Sequence, residues 1–527
     1  MTKRKRMVLL MIITALATTA IGLAGAALTG AVPAAHAESP LYWANTSFPI
    51  FEGGGAYPRM VQLRDGTLLC GFDAGLGAPN ARIAIARSED GGKTWAYPII
   101  GAEKAGFDCA NANFIQLENG DILLAYRAIK GGENIDAKIL CNISHDNGHS
   151  WEFHSTVIEE YGKGGVWEPH FIMIDGKVAV FYANDSQNAM GDTGLQNIEF
   201  KLWEGDHWGE KRIASYGNET KSRDGMPIVD RLSDGRYVMV VEANAFPDYV
   251  FIVQIKFSPD GLDWSEPLRT IYTPTKRGAG KKAGAPYIAV LPGDILVVSF
   301  QTDEDATSSG DGVSTMKVIA SSDLGETWSA PFTPFPVPDG KSAIWNGMYW
   351  ANDQLWALTS ANYPKGGIYA RIATLDPHTD LGVNLLINPT FADDSLLGWT
   401  LTDGKRTWGQ EYGSKRFIEA DGAPALYLIR NKQTRPLTIS QQFQGLQGGT
   451  YEFTGSISNS QGTGDVNLIL TQGEIVQTFS LAPTGDLQTL SVPAITLTDG
   501  ELTFALEIPA SGADAITLSN LTFTRVK

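Results

Sequence analysis

From about residue 38 to residue 380 the chain alternates short apolar runs with polar turns, and the turns recur at a nearly fixed spacing. In LRDGTLL, LENGDILL, IDGKVAV, LSDGRYVMV and LPGDILVV a Gly beside Asp or Asn divides two apolar runs, with glycines at 66, 120, 176, 235 and 293. A sixth copy, ANDQLWAL, puts Asp353 in the same place, 60 residues after Gly293. Apolar runs split by an Asx-Gly pair predict β-hairpins. A second repeat, S-x-D-x-G-x-x-W, runs in step with the first. It reads Ser88-Asp90-Gly92-Trp95, Ser144-Asp146-Gly148-Trp151 and Ser321-Asp323-Gly325-Trp328, with a shortened copy from Ser258 to Trp264 and a worn one ending at Trp208. In such a box Ser and Asp hydrogen-bond the turn backbone, Gly takes the left-handed conformation and Trp fills the gap between strands. The boxes are therefore read as structural. Six units of about 57 residues each can form a four-stranded sheet apiece, which predicts an all-β, six-bladed propeller.

The pattern changes near residue 384. Thr, Ser, Leu and Gly alternate in runs such as TYEFTGSISN and DVNLILTQ, without the box and without cysteine, which predicts a β-sandwich. At the other end Lys3, Arg4, Lys5 and Arg6 precede an apolar stretch that closes on Ala35-His36-Ala37, the form of a cleaved export signal. The expected plan is a signal peptide over 1–37, a propeller over 38–383 and a sandwich over 384–527. Formal net charge is −17; without the four basic residues of the leader, 37 positive charges face 58 negative ones, or −21. Such a balance disfavours nucleic acid and anionic membrane surfaces as partners, and weighs mildly against a polyanionic substrate. A secreted, extracellular monomer, with no membrane contact after cleavage, is expected. Cys70, Cys109 and Cys141 are an odd set on apparent strands without metal-ligand spacing, so buried free thiols are expected.

In a propeller the first strand of every blade lines a central channel, where ligands bind. Eight positions before each turn residue stand Pro58, Ala112, Glu168, Pro227, Ala285 and Trp345; seven after it stand Asp73, Arg127, Ala183, Glu242, Phe300 and Ser360. Glu168 is the one charged residue of the first set, and Glu242 ends the strongly apolar run VMVVEA. Two carboxylates converging on an aromatic pocket fit glycoside hydrolysis, one attacking or activating water and the other protonating the leaving oxygen. On the residues alone, each glutamate is equally a structural carboxylate paired with Arg59, Arg127 or Arg223. His170 is read as a neutral histidine at the edge of the core.

SEDGGKTW, SHDNGHSW and SSDLGETW resemble the Asp-boxes, or BNR repeats, of the sialidase-like propeller superfamily, a resemblance specific for fold rather than for activity. NLLINPTFADDSLLGW and AITLSNLTFTRVK resemble the first and last strands of jelly-roll carbohydrate-binding modules; a ligand-free sandwich is the alternative. Within the propeller, GGVWEPHFI, SRDGMPIVDRLSDGRYVMVVEA and GAPYIAVLPGD together resemble glycoside hydrolase family 93. That resemblance implies a retaining exo-acting α-L-arabinofuranosidase that frees arabinobiose from the non-reducing end of α-1,5-linked arabinan. It implies Glu168 as nucleophile and Glu242 as acid/base, their carboxyl groups roughly 5–5.5 Å apart as retention requires. Trp167 or Tyr287 is expected to stack on a furanose ring, with Arg59, Asp73 and Arg127 bonding its hydroxyls. No cofactor or metal is expected.

Two rival readings remain open. An exo-sialidase needs three arginines around a carboxylate and a tyrosine nucleophile; here the family's F-R-I-P motif is replaced by Tyr57-Pro58-Arg59-Met60, and no third arginine is evident. A non-catalytic glycan-binding propeller would account for the C-terminal module equally well, but gives little reason for Glu168 and Glu242.

Overall fold

The computed structural model describes residues 36–44, 47–276, 281–363, 365–375 and, with short breaks, 384–526. Most of the leader expected over 1–37, and the expected domain boundary at 383/384, fall outside the described residues. The described chain is almost entirely β, as the alternating pattern predicted. Its helical pieces are Gln187–Met190, Gly217–Thr220 and the 3-10 turn Asp311–Val313.

Six small antiparallel sheets follow one another along the chain, the arrangement of a propeller. Their first strands are Ala56–Gln62, Asp108–Gln116, Val166–Ile174, Gly225–Arg231, Ala283–Leu291 and Ala343–Ala351. In the first four sheets, four strands lie side by side in chain order. Three strands form the fifth, with an added bridge between Val318 and Phe332 at its edge. In the sixth, strand Gly367–Thr374 pairs on its outer side with Tyr42–Trp43 and Phe48–Phe51 from the other end of the sequence. Each first strand packs against the first strand of the next sheet, and the sixth returns to the first. That ring brings side chains from positions hundreds of residues apart around one axis.

The boxes behave as their chemistry predicts. Ser88 Oγ accepts from Gly92 N (2.8 Å) and donates to Asp90, whose carboxylate takes Thr94 N and Oγ1. Trp95 Nε1 closes the turn on Gly92 O (3.1 Å), and the copies at 144–151 and 321–327 repeat these serine and aspartate bonds. These bonds hold the carboxyls of Asp90, Asp146 and Asp323 down at about 2. Gly92 has φ 89°, and a Cβ there would lie 2.1 Å from the Trp356 ring, so only glycine lets the turn seat against the neighbouring sheet. The three cysteines are free and buried, and burial pushes the Cys109 thiol up to about 11.

Beyond Asn384 two five-stranded antiparallel sheets enclose a separate core that includes Phe391, Trp399, Tyr451, Phe453, Phe504 and Phe523. The tryptophan that follows the N-P-x-F segment, Trp399, is thus a core residue. The large hydrophobics exposed among the described residues of this part, Ile418, Ile475, Val476 and Val526, are all aliphatic.

Candidate active site

Each first strand begins with the same irregularity. One residue near its start has positive φ: Tyr57 (52°), Asn111 (60°), Glu168 (46°), Met226 (54°), Ala285 (47°) and Trp345 (57°). The pairing register shifts at each of these points, the signature of a β-bulge, which re-aims a side chain. Four of the six bulge residues precede proline, at Pro58, Pro169, Pro227 and Pro286. Proline suits the next position because the bulge leaves an N–H unpaired and proline has none. Counting back from the turns is therefore one residue off in three sheets. Tyr57, Asn111 and Met226, not Pro58, Ala112 and Pro227, are equivalent to Glu168. The cause is turn length: two-residue turns such as Asp175-Gly176 serve the third and sixth sheets, while Leu63–Thr67, Leu117–Asp121 and Leu232–Arg236 are longer.

The second strands contribute the residues paired with the position just before each bulge: Asp73, Arg127, Ala183, Glu242, Gln301 and Ser360. Gln301 replaces the expected Phe300, because the Pro292-Gly293-Asp294 turn is a residue longer. Three of these side chains have one task in common, which is to accept the backbone N–H of the bulge residue in the following sheet. Asn111 N donates to Asp73 Oδ1 (2.8 Å), Ala285 N to Glu242 Oε2 (2.8 Å), and Trp345 N to Gln301 Oε1 (2.9 Å). One oxygen of Glu242 is thereby tied to the scaffold, and the other, Oε1, faces Arg223.

Glu242 is only 9 % exposed, and its carboxyl is raised by burial against the opposing Ala285 N–H and Arg223. Glu168 is pushed up to about 7, first by burial and next by the charge of Glu242. Arg223 lowers both, its Nη1 lying 3.8 Å from Glu242 Oε1 and its Nε 3.7 Å from Asp185 Oδ2. Asp185 in turn accepts from Trp167 Nε1 (2.7 Å) and Gly165 N (2.8 Å), which fixes the strand carrying Glu168. Burial thus raises both carboxyl groups, the charge of Glu242 raises Glu168 further, and Arg223 opposes both shifts.

Asp73 and Arg127 stand beside this pair. Burial pushes Asp73 up to about 7, against the pull of Arg127 and the Asn111 N–H. Arg127 donates through Nε to Asn111 Oδ1 (2.6 Å) and covers the Trp167 ring at 5.3 Å. Arg59 and Tyr287 lie two residues past their bulges and face each other: the Arg59 guanidinium sits 4.9 Å from the Tyr287 ring and donates to Pro58 O and Asn346 O (both 2.8 Å). His170 completes this inner layer. Its Nε2 donates to Val229 O (2.7 Å), its Nδ1 accepts from Asn113 Nδ2 (3.3 Å), and burial lowers it to about 4. The ring is therefore neutral and structural. Arg59 and Tyr287 are both buried and turned toward each other, which leaves them poorly placed to bond a sugar.

Sequence reasoning missed two bulge-position neighbours of the carboxylates. Tyr57 stacks on Trp345 with ring centroids 4.4 Å apart, and its hydroxyl feels Glu168, Asp73 and Glu242. Asn111 Nδ2 is buried without a hydrogen-bond partner. Aligning the repeats on proline rather than on the turns would have placed Tyr57 and Met226 in register with Glu168. Among the described residues no group of three His, Cys, Asp or Glu side chains is placed to hold a metal ion, and no helix is long and apolar enough to cross a membrane.

No protein-family model matches the chain, and no curated protein matches it in sequence. Solved structures do match. The α-L-arabinofuranosidase of Fusarium graminearum from glycoside hydrolase family 93, in complex with arabinobiose, aligns with a TM-score of 0.50 at 20 % identity, covering 64 % of this chain and 99 % of that one. An α-L-arabinanase of Penicillium chrysogenum, complexed with arabinobiose, gives 0.49 at 20 %, covering 63 % and 98 %. The NanB sialidase of Streptococcus pneumoniae gives 0.46 at 11 %, covering 62 % and 70 %. The chain thus has the fold of its arabinofuranosidase neighbour, in keeping with the resemblance carried by its repeats.

Proposed function

We propose that residues 38–383 form a six-bladed propeller hydrolase that cleaves α-1,5-linked arabinan from its non-reducing end with retention, releasing arabinobiose. The leader, the extracellular destination and a jelly-roll carbohydrate-binding role for 384–527 belong to the same proposal. The observation that carries it is the pair Glu168 and Glu242: two carboxyl groups on adjacent sheets, both raised by burial, the first also by the charge of the second, and both lowered by Arg223. In the first step Glu168 attacks the anomeric carbon while Glu242 protonates the leaving oxygen from Oε1. In the second, Glu242 takes a proton from water as it displaces Glu168. The stacked Tyr57–Trp345 rings supply an apolar wall for a furanose. Asn111, its amide oriented by Arg127, offers a free N–H to a sugar hydroxyl. Asp73 has one oxygen left for another.

The arrangement of the arginines favours a neutral sugar over sialic acid. Arg59 is bonded to backbone carbonyls, Arg127 to Asn111, and Arg223 faces the two carboxylates and Asp185. Burial also raises the Tyr57 hydroxyl well above its ordinary range, the opposite of an activated nucleophile. The test is product analysis after incubation with linear α-1,5-arabinan, with sialyl-lactose alongside. Arabinobiose without longer intermediates, abolished in Glu168→Gln and Glu242→Gln, supports the reading. Free sialic acid with arabinan untouched overturns it.

A further inference from the structure

Lys282 immediately precedes the first strand of the fifth sheet, Ala283–Leu291, and Asp311 stands on the rim segment that joins Thr302 to Thr315 in the same sheet. Glu242 reaches across onto this strand. Its Oε2 accepts Ala285 N, and a Cβ built on Gly284 would lie 2.8 Å from the same oxygen. Opposite Gly284 stands Gln301, whose Oε1 holds Trp345 N and whose Nε2 donates to Asp311 Oδ1 (2.9 Å). Lys282 Nζ donates to that same Oδ1. Both bonds thus fall on one oxygen of a side chain that is 46 % exposed. The segment carrying Asp311 is itself fastened. Asp303, which is buried, accepts Lys282 N (3.0 Å) and Gly310 N (2.9 Å), and Lys281 Nζ donates to the carbonyls of Asp303, Ala306 and Ser308. Asp311 is therefore an accessible carboxylate held in one place, with Oδ2 left for an outside donor.

We propose that Asp311 is a specificity-determining residue that accepts a ring hydroxyl of the sugar unit departing from the cleaved bond, aimed by Lys282 and Gln301 as positioning residues. The proposal rests on reading Glu168 and Glu242 as a retaining pair. In that reading the acid stands on the leaving-group side of the attacked carbon. Asp73, Arg127 and Glu168 belong to the first three sheets and Glu242 to the fourth, so the ring under attack lies toward the former and the departing unit toward the fifth. The charges of Lys282 and Asp311 both reach Glu242, the first lowering its carboxyl and the second raising it, whereas Glu168 feels Arg127 on its other side. A unit of 1,5-linked arabinan is uncharged and keeps free hydroxyls on its second and third carbons. A carboxylate accepts from such a hydroxyl, and the paired ammonium leaves the place neutral as a whole, which suits a neutral sugar.

The experiment measures kcat/KM of wild type and Asp311→Ala on two substrates, α-1,5-arabinotriose and methyl α-1,5-arabinobioside. Both release arabinobiose, and both leaving groups are alkoxides that need the acid, but only the first departs with ring hydroxyls. Wild type is expected to prefer arabinotriose. Asp311→Ala should lower kcat/KM on arabinotriose about 10- to 100-fold and change it less than about threefold on the methyl glycoside. Equal losses on both substrates would mean that Asp311 acts through Glu242 or through packing. That outcome, unchanged kinetics, or a wild type without preference overturns the proposal while leaving the retaining pair intact. Should Asp311→Ala fail to fold because Lys282 is left unpaired, the double variant Lys282→Met with Asp311→Ala removes both charges and reads the same ratio. A wild type that cleaves neither substrate overturns both the proposal and the reading beneath it.

Discussion

Replacing Glu168 with glutamine should make the protein more stable above neutrality while removing its activity. The carboxyl is raised from 4.5 to about 7 in the folded chain, chiefly because burial disfavours its charge. At roughly 1.4 kcal/mol per pH unit, ionised Glu168 opposes folding by about 3 kcal/mol. The direction follows from linkage. With the folded value above the unfolded one, the stability held below pH 4.5 is lost as pH rises through about 7. Glutamine is neutral throughout, so wild type and Glu168→Gln should melt together near pH 4 and separate by pH 8. With about 2 °C per kcal/mol for a large domain, the separation is about 6 °C in favour of the variant. Thermal unfolding of both proteins at the two pH values measures it. A difference in Tm that is the same at pH 4 and pH 8, or a more stable wild type at pH 8, refutes the argument that burial of this charge sets its titration. Arabinan hydrolysis, followed in parallel, should fall about 1,000-fold or more in the variant.

Further outcomes test the neighbouring groups. Arg223→Gln removes the positive charge that lowers both glutamates, so the acid limb of the kcat/KM profile, set by ionisation of Glu168, should move up by about one pH unit; an unmoved limb removes Arg223 from the site. Asn111→Asp keeps an acceptor for Arg127 but turns the unpartnered amide donor into an acceptor, and should lower kcat/KM on arabinan about tenfold or more. Undiminished turnover would mean that no sugar hydroxyl uses Asn111. Ser321→Ala deletes the buried hydroxyl that receives Gly325 N, which should lower stability by about 1 kcal/mol with kcat unchanged. Calorimetry beside arabinan kinetics checks both halves.

The repeats made the fold legible because a hairpin and its box turn are local. Every hydrogen bond that closes a box joins residues within four positions of each other. A window of eight residues therefore contains the whole cause of the turn, and its recurrence announces one sheet after another. Glu168 and Glu242 stood out in the sequence for a related reason, Glu168 as the one charge at its register and Glu242 as a charge ending a strongly apolar run. The same counting went astray at Tyr57, Asn111 and Gln301, because turn length varies by a residue between sheets and a shift of one exchanges the faces of a strand.

What lay beyond the sequence was who meets whom. Arg59 and Tyr287 read as sugar ligands, yet they occupy each other because strands 228 residues apart turn their side chains onto one axis. By itself the sequence determined the periodic local bonding, and with it the number and kind of sheets. The chemistry of the centre was decided by closure of the ring, which buries carboxylates from adjacent sheets together, raises their pKa values and sets which atoms remain without a partner.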